Sequence, residues 1–307
     1  VTRLPALDLA RGIAVVGMIY MHFVGSKLAT ILEGRAAALF FILAGIAWAL
    51  SGKSRARRAL VLAAFGVLFH RLVWPTEVLV PLALMMLLCQ GLWRRGPWAV
   101  GGALTLVLAV TPLAQARFSS LIVSDWLDDG SHLADHTLGW PTLRALVLDG
   151  NYPLLPWLAL PLLGMLAVAG TGLTARRTRL WFFCALPLAA LAQCLGPATW
   201  VPTTLPFLLR IGSTAAALIA GLLWWDAARG LPRFTLPLAA LGRLSLTHYV
   251  GHIVLVFAPL RLLYPDEDWP LRVGLAAFLG YVAVAMPLSM LWLRRSPHGP
   301  LETLWRK

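Results

Sequence analysis

The chain has 307 residues, 59% of them hydrophobic and 13% charged, with a mean hydropathy of +0.77, a balance that rules out a water-soluble globular protein and indicates a polytopic membrane protein. A net charge of +13 would suit nucleic acid, but the basic residues fall between apolar runs and no soluble segment offers a basic face, so nucleic acid is excluded as a partner.

The first apolar run, LDLARGIAVVGMIYMHFVG, carries Asp8, Arg11 and His22, and reads as a retained first span rather than a cleaved signal. Ionisable side chains inside a bilayer-crossing helix are costly and mark functional positions. Arg11 and His22 are close to three helical turns apart, so they share one face at a separation of about 16 Å. A plainer reading has Arg11 snorkelling to the interface and His22 packing as a neutral ring.

Further apolar runs, broken by Pro, Gly and Arg clusters, extend the pattern to an all-α fold of about ten transmembrane helices in a single domain over residues 1–307. The expected spans are about 7–25, 36–51, 58–73, 77–93, 98–115, 153–171, 180–196, 206–225, 243–263 and 271–293. Lys53, Arg55, Arg57 and Arg58, then Arg94 and Arg95, Arg176, Arg177 and Arg179, Arg229 and Arg233, and finally Arg294, Arg295, Arg306 and Lys307 all fall on one side of that arrangement. The positive-inside rule makes that side cytoplasmic, with both termini inside and the protein multi-pass in the cell membrane. Asp125, Asp128, Asp129, Asp135, Asp149, Asp266, Glu267 and Asp268 collect on the other side. The stretch 116–152 is too long and polar for a tight turn and is expected to cap the outer face.

Cys89, Cys184 and Cys194 lie in apolar stretches without metal or redox spacing and read as buried small hydrophobes, and no metal is expected. On this topology His22 lies in the outer part of the bilayer, and His70 and Arg71, ending the third span, lie at a similar depth. A histidine there can take a proton from an attacking hydroxyl or amine, the general-base step of acyl transfer, although His70 and Arg71 also suit an interfacial anchor. In the ninth span Ser245, His248 and His252 follow one helix face, lining a pocket or tunnel or bonding between helices. With no Asp or Glu nearby in sequence they do not form a Ser-His-Asp triad. Asn151, entering the sixth span, is the candidate hydrogen-bond donor to a reacting carbonyl. Arg11 and Arg243, expected at the cytoplasmic mouth, are the candidate contacts for anionic phosphates.

Arg11, ten intervening residues and His22 form the R-x10-H arrangement of membrane-bound acyltransferase family 3. The chain more closely resembles bacterial members of the heparan-alpha-glucosaminide N-acetyltransferase family and a neighbouring family of the same architecture. The likeness rests on Leu7-Asp8-Leu9-Ala10-Arg11-Gly12, Glu33-Gly34-Arg35 running into Leu43-Ala44-Gly45, Pro153-Leu154-Leu155-Pro156-Trp157, Gly242 to Tyr249, and Gly299-Pro300-Leu301-Glu302 to Arg306. The resemblance implies a ten- or eleven-helix fold that takes an acyl group from cytoplasmic acyl-CoA, most simply acetyl-CoA, and delivers it to a sugar-like acceptor outside. It assigns the catalytic histidine to His22, and the residues themselves add His70 and Asn151 as further catalytic candidates and Arg11, Arg243, Ser245, His248 and His252 as candidate donor contacts. Partners are then acyl-CoA, the small acceptor, the bilayer and a second copy in a homodimer. The alternative is a transporter or flippase of a small anionic or lipid-linked molecule, for which buried Arg and His are also expected.

Overall fold

The computed structural model describes residues 3–25, 32–51, 56–72, 78–119, 139–170, 172–266 and 269–305. Lys53, Arg55, Arg306, Lys307, Asp125, Asp128, Asp129, Asp135, Glu267, Asp268 and most of the 116–152 stretch lie outside the described residues. Among those described, all regular structure is helical.

In chain order the helices are α1 (Pro5–Tyr20), α2 (Arg35–Ser51), α3 (Ala56–Leu72), α4 (Leu79–Trp93), α5 (Pro97–Arg117), α6 (Trp140–Arg144), α7 (Leu154–Trp157), α8 (Ala159–Val168), α9 (Ala175–Gln193), α10 (Leu205–Arg229), α11 (Leu236–Arg243), α12 (Ser245–His252), α13 (Ala258–Leu263) and α14 (Leu271–Arg295). π-helical turns follow α1 at Met21–Gly25, α6 at Ala145–Asp149 and α12 at Ile253–Phe257. Pro at the first turn of α1, α5 and α11 starts each helix where a main-chain N–H has no helical partner to lose. Gly230 ends α10 at φ +71°, a left-handed position that a side chain rarely tolerates.

Among the described residues six helical stretches are long and apolar enough to cross a membrane: Pro5–Val24, Pro97–Arg117, Trp140–Val168, Leu205–Arg229, Ser245–Leu263 and Leu271–Arg295. The protein is a membrane protein. Helix occurs in each of the ten predicted stretches, but length and apolarity select six. Arg35–Ser51 and Leu79–Trp93 are apolar but shorter, α3 has 17 residues, and α9 carries Arg176, Arg177 and Arg179 in its first turns. Cys89 is buried, but Cys184 and Cys194 are exposed, contrary to the reading of all three as buried. In a membrane protein an apolar residue need not turn inward, because the outer face of a helix meets lipid.

The described chain forms two compact units, one built from Phe41–Leu173 and Ala185–Thr214, the other from Thr2–Phe40, Thr174–Cys184 and Ala215–Lys307. In the first unit α2 and α8 cross main chain to main chain. A Cβ at Gly45 would collide with the Pro161 carbonyl, and one at Gly164 with the Ile42 carbonyl. Trp157 is fully buried there, donating from Nε1 to Thr203 Oγ1 at 2.9 Å, with Phe41 and Tyr152 packed on its ring.

The second unit has a crossing of the same kind between α1 and α11. A Cβ at Gly12 would strike the Leu238 carbonyl, and one at Gly242 would strike the Asp8 carbonyl and the Gly12 N–H. Without a hydrophobic drive between helices in lipid, such close approach supplies the dispersion contact that holds them together. Gly274 of α14 fits in the same manner on the Phe23 carbonyl, bringing α14 against the turn that ends α1.

Candidate active site

The crossing of α1 and α11 fixes where α12 starts, and α12 brings His252 to His22. The rings stack with centroids 5.0 Å apart and 25° between their planes, and His22 Nδ1 lies 2.8 Å from His252 Nε2. His252 is fully buried. Its Nδ1 lies 2.9 Å from the His248 carbonyl oxygen, so Nδ1 carries the proton and donates it. In the neutral ring that leaves Nε2 as an acceptor, and His22 must therefore donate from Nδ1. The chain of bonds assigns the lone pair of His22 to Nε2, the nitrogen able to act as a base.

His22 is not on the regular part of α1. The helix ends at Tyr20 and His22 stands in the π turn Met21–Gly25, so the straight three-turn alignment with Arg11 expected from spacing gives way to a widened turn. A π turn breaks the usual bonding ladder and is found at functional positions. Here Trp269 donates from its indole Nε1 to the Phe23 carbonyl at 3.0 Å, and Phe257 of the π turn Ile253–Phe257 lies edge-on to Trp269 with its ring centroid 6.1 Å from that of His22.

His248 serves a different purpose. Ser289 donates to the Ala285 carbonyl at 2.7 Å, so its oxygen accepts from His248 Nε2 at 2.7 Å. The Tyr281 hydroxyl lies 3.1 Å from His248 Nδ1 and 3.2 Å from the His248 carbonyl. His248 thus ties α12 to α14 as an interhelical link, the second of the two roles the sequence left open. Ser245 opens α12, but the cap there comes from Glu302.

At the other end of α1 a charged group surrounds Asp8, which is 4% exposed. Arg11 Nη1 donates to Asp8 Oδ1 at 2.8 Å, and Arg3 Nε donates to Oδ2 at 2.5 Å. The Arg243 guanidinium feels the charges of both Arg3 and Asp8 and donates from Nη2 to the Pro297 carbonyl at 3.0 Å. Arg3 and Arg11 thus both pair with Asp8, while Arg243 stands nearby and bonds elsewhere, and Asp226 Oδ2 accepts from the Ala6 N–H at 3.3 Å. Arg11 and Arg243, read from the sequence as lying at one mouth, both border Asp8. Outside the membrane-spanning segments, burial raises the Glu33 carboxyl above its ordinary range, opposed by the charge of Arg35.

Asn151 and His70 belong to the first unit. Asn151 contributes its main-chain carbonyl, which accepts from Trp200 Nε1 at 2.8 Å. His70 lies half-buried near the end of α3. Asp149, grouped by sequence with the outer acidic residues, is instead fully buried, accepting from Arg144 Nε at 2.8 Å across the π turn Ala145–Asp149. Among the described residues no three His, Cys, Asp or Glu side chains gather as a metal site would require.

Sequence reasoning gave no role to Tyr281, Ser289, Trp269 or Glu302. Tyr281 and Ser289 are eight residues apart in an apolar helix, a spacing of about two turns that places two polar groups on one face. Glu302 is a single carboxylate within the short apolar run Leu301–Trp305, and that isolation is the available signal.

A family model described as heparan-alpha-glucosaminide N-acetyltransferase, catalytic, matches residues 3–200, and one described as a protein of unknown function (DUF418) matches residues 164–307. No curated protein matches the chain. The first match covers well over half of the residues and contains His22, Arg3, Asp8 and Arg11, while Arg243 and His252 fall in the second, and the chain belongs to the heparan-alpha-glucosaminide N-acetyltransferase catalytic family.

Proposed function

We propose that this protein is a membrane acetyltransferase that draws an acetyl group from cytoplasmic acetyl-CoA and delivers it to an amine or hydroxyl, sugar-like in keeping with the family's name, on the opposite side. The observation that carries the reading is the pair His22–His252, with His22 Nδ1 2.8 Å from His252 Nε2 and the lone pair of His22 on Nε2. As the acceptor atom attacks the thioester carbon, its proton passes to His22 Nε2. The C–S bond then breaks and the departing sulfur takes up that proton, so free thiol leaves. In the covalent variant of the same scheme, Nε2 itself attacks the thioester carbon as the C–S bond breaks, and the acceptor then displaces the acetyl group from Nε2, its proton passing to the expelled thiolate. In either case positive charge develops on His22, and the bond from its Nδ1 to His252 strengthens as it does.

Arg11 and Arg243 are the donor-phosphate contacts in this scheme, a reading supported by the gathering of Arg3, Arg11 and Arg243 at one end of α1. Both termini are cytoplasmic in it, and about ten helices traverse or line the membrane. His70 and Asn151 are the secondary candidates at the acceptor end.

The deciding experiment incubates purified protein with labelled acetyl-CoA and measures thiol release and saturable binding. Release that depends on added acceptor, or a labelled protein intermediate, supports the reading. Neither release nor binding overturns it in favour of transport.

A further inference from the structure

The break between α11 and α12 falls at Leu244, whose φ of −106° and ψ of 34° lie outside the helical range. No side chain of α12 caps its first turn. In an apolar setting each main-chain N–H left without a partner is costly, and the first turn of any helix presents several. Glu302, 7% exposed, meets that need from more than fifty residues away. Its Oε1 accepts from the N–H groups of Leu246 at 2.8 Å and Thr247 at 3.1 Å, and its Oε2 accepts from the Thr247 hydroxyl at 2.6 Å. Thr247 Oγ1 in turn accepts from the Leu301 N–H at 3.3 Å. Gly299 completes the fit, because a Cβ there would collide with Glu302 Oε2. A carboxylate is also favoured at the positive end of the helix dipole.

α12 is short, and its other end bears His252, five residues beyond Thr247. The His252 ring is aimed by the carbonyl of His248, on the same helix. Any rotation or axial slip of α12 is therefore transmitted to the nitrogen that holds His22. We infer that Glu302 is a positioning residue for the His22–His252 pair, acting through the N-terminus of α12. The inference rests on His22 being the reactive base or carrier, and it adds to that reading a carboxylate that sets the alignment without touching substrate.

The test compares Glu302→Ala, Glu302→Gln and Thr247→Val with the wild type in detergent. Gln keeps an oxygen for the two N–H groups, whereas Ala leaves them bare. Two measurements are made, the turnover and acetyl-CoA affinity of acetyl transfer, and the ring-nitrogen NMR signals of His22 and His252, assigned with His22→Gln and His252→Gln. For Glu302→Ala, kcat is expected to fall between about 10- and 100-fold, as for a small misplacement of a reacting group. Acetyl-CoA affinity stays within about twofold on the same argument. The His22 and His252 signals shift or broaden, and Glu302→Gln restores most of both. Should Glu302→Ala not fold, Glu302→Gln and Thr247→Val carry the test, with smaller shifts in the same signals. Unchanged histidine signals in every folded variant overturn the inference, as does a loss of kcat matched by an equal loss of donor binding. A wild type that releases no thiol while its histidine signals still respond to Glu302→Ala defeats the acetyltransferase reading alone.

Discussion

Gly242 lies so close to Asp8 that a Cβ on it would overlap the Asp8 carbonyl oxygen. Gly242→Ala forces a methyl group onto the Asp8 carbonyl and the Gly12 N–H. The expected cost is about 1–3 kcal/mol, the range for overpacking a well-fitted contact. Gly280→Ala, on the open side of α14 with nothing near the added methyl, is expected to gain about 0.5–1 kcal/mol instead. Thermal unfolding in detergent reads both, and equal melting temperatures would show that the crossing is not tight.

His22→Ala is expected to reduce turnover at least about 100-fold while leaving folding intact, the lower end for removal of a general base. His252→Ala reduces it by less, since His252 holds the tautomer rather than the proton in transit. The double variant resembles His22→Ala, because groups acting as a unit do not add. Thiol release checks the series, with His70→Ala as comparison. A larger loss at His70 would move the chemistry to the other histidine.

Arg144 and Asp149 are 4% and 0% exposed, and removal of one partner from a buried ion pair leaves a bare charge. Arg144→Met is expected to destabilise by about 3–5 kcal/mol, and Arg144→Met with Asp149→Leu to recover most of it. Unfolding midpoints in detergent give the comparison. A double variant no better than the single one would show that the pair carries more than mutual neutralisation.

Arg243→Ala is expected to weaken acetyl-CoA binding by about 1.5–3 kcal/mol, the value of a charge-assisted hydrogen bond. Arg57, exposed on α3, serves as the control for general electrostatics. Equilibrium binding of acetyl-CoA and of its analogue lacking the 3′-phosphate separates them. Equal, small effects at Arg243 and Arg57 would remove the phosphate assignment.

Sidedness is open to cysteine labelling in intact cells, in a background where Cys184 and Cys194 are replaced. A cysteine at Ser54 is expected to be shielded from an impermeant thiol reagent, and one at Ser131 to react. The reverse pattern would invert the topology and turn the donor cluster outward.

The ionisable residues of α1 were legible because Asp8, Arg11 and His22 interrupt an otherwise apolar run, and interruption alone marks cost. The helices were legible for the same reason, as hydrophobic stretches with Pro and Gly between them. Their partners were not. His252 stands 230 residues from His22, and the contact depends on a glycine crossing and two π turns that no periodicity announces. Glu302 bonds mainly to main-chain N–H groups, which look alike in every sequence, so no complementary side chain pointed to it. Asp149 resembled the neighbouring loop acids until the π turn folded it back on Arg144.

The unit holding the histidine pair is assembled from segments far apart in the chain, which sets the order of its biogenesis. α1 enters the bilayer long before the ribosome reaches His252 or Glu302, and must wait there with three ionisable groups aboard. The Asp8–Arg11 bond spans three residues of one helix, so those two charges neutralise each other from the moment α1 forms. His252, which bonds to His22, is made 230 residues later. The segment around Glu302, made long after α1, therefore completes this unit, and a nascent chain released short of it leaves the first helix inserted but the histidine pair unaligned.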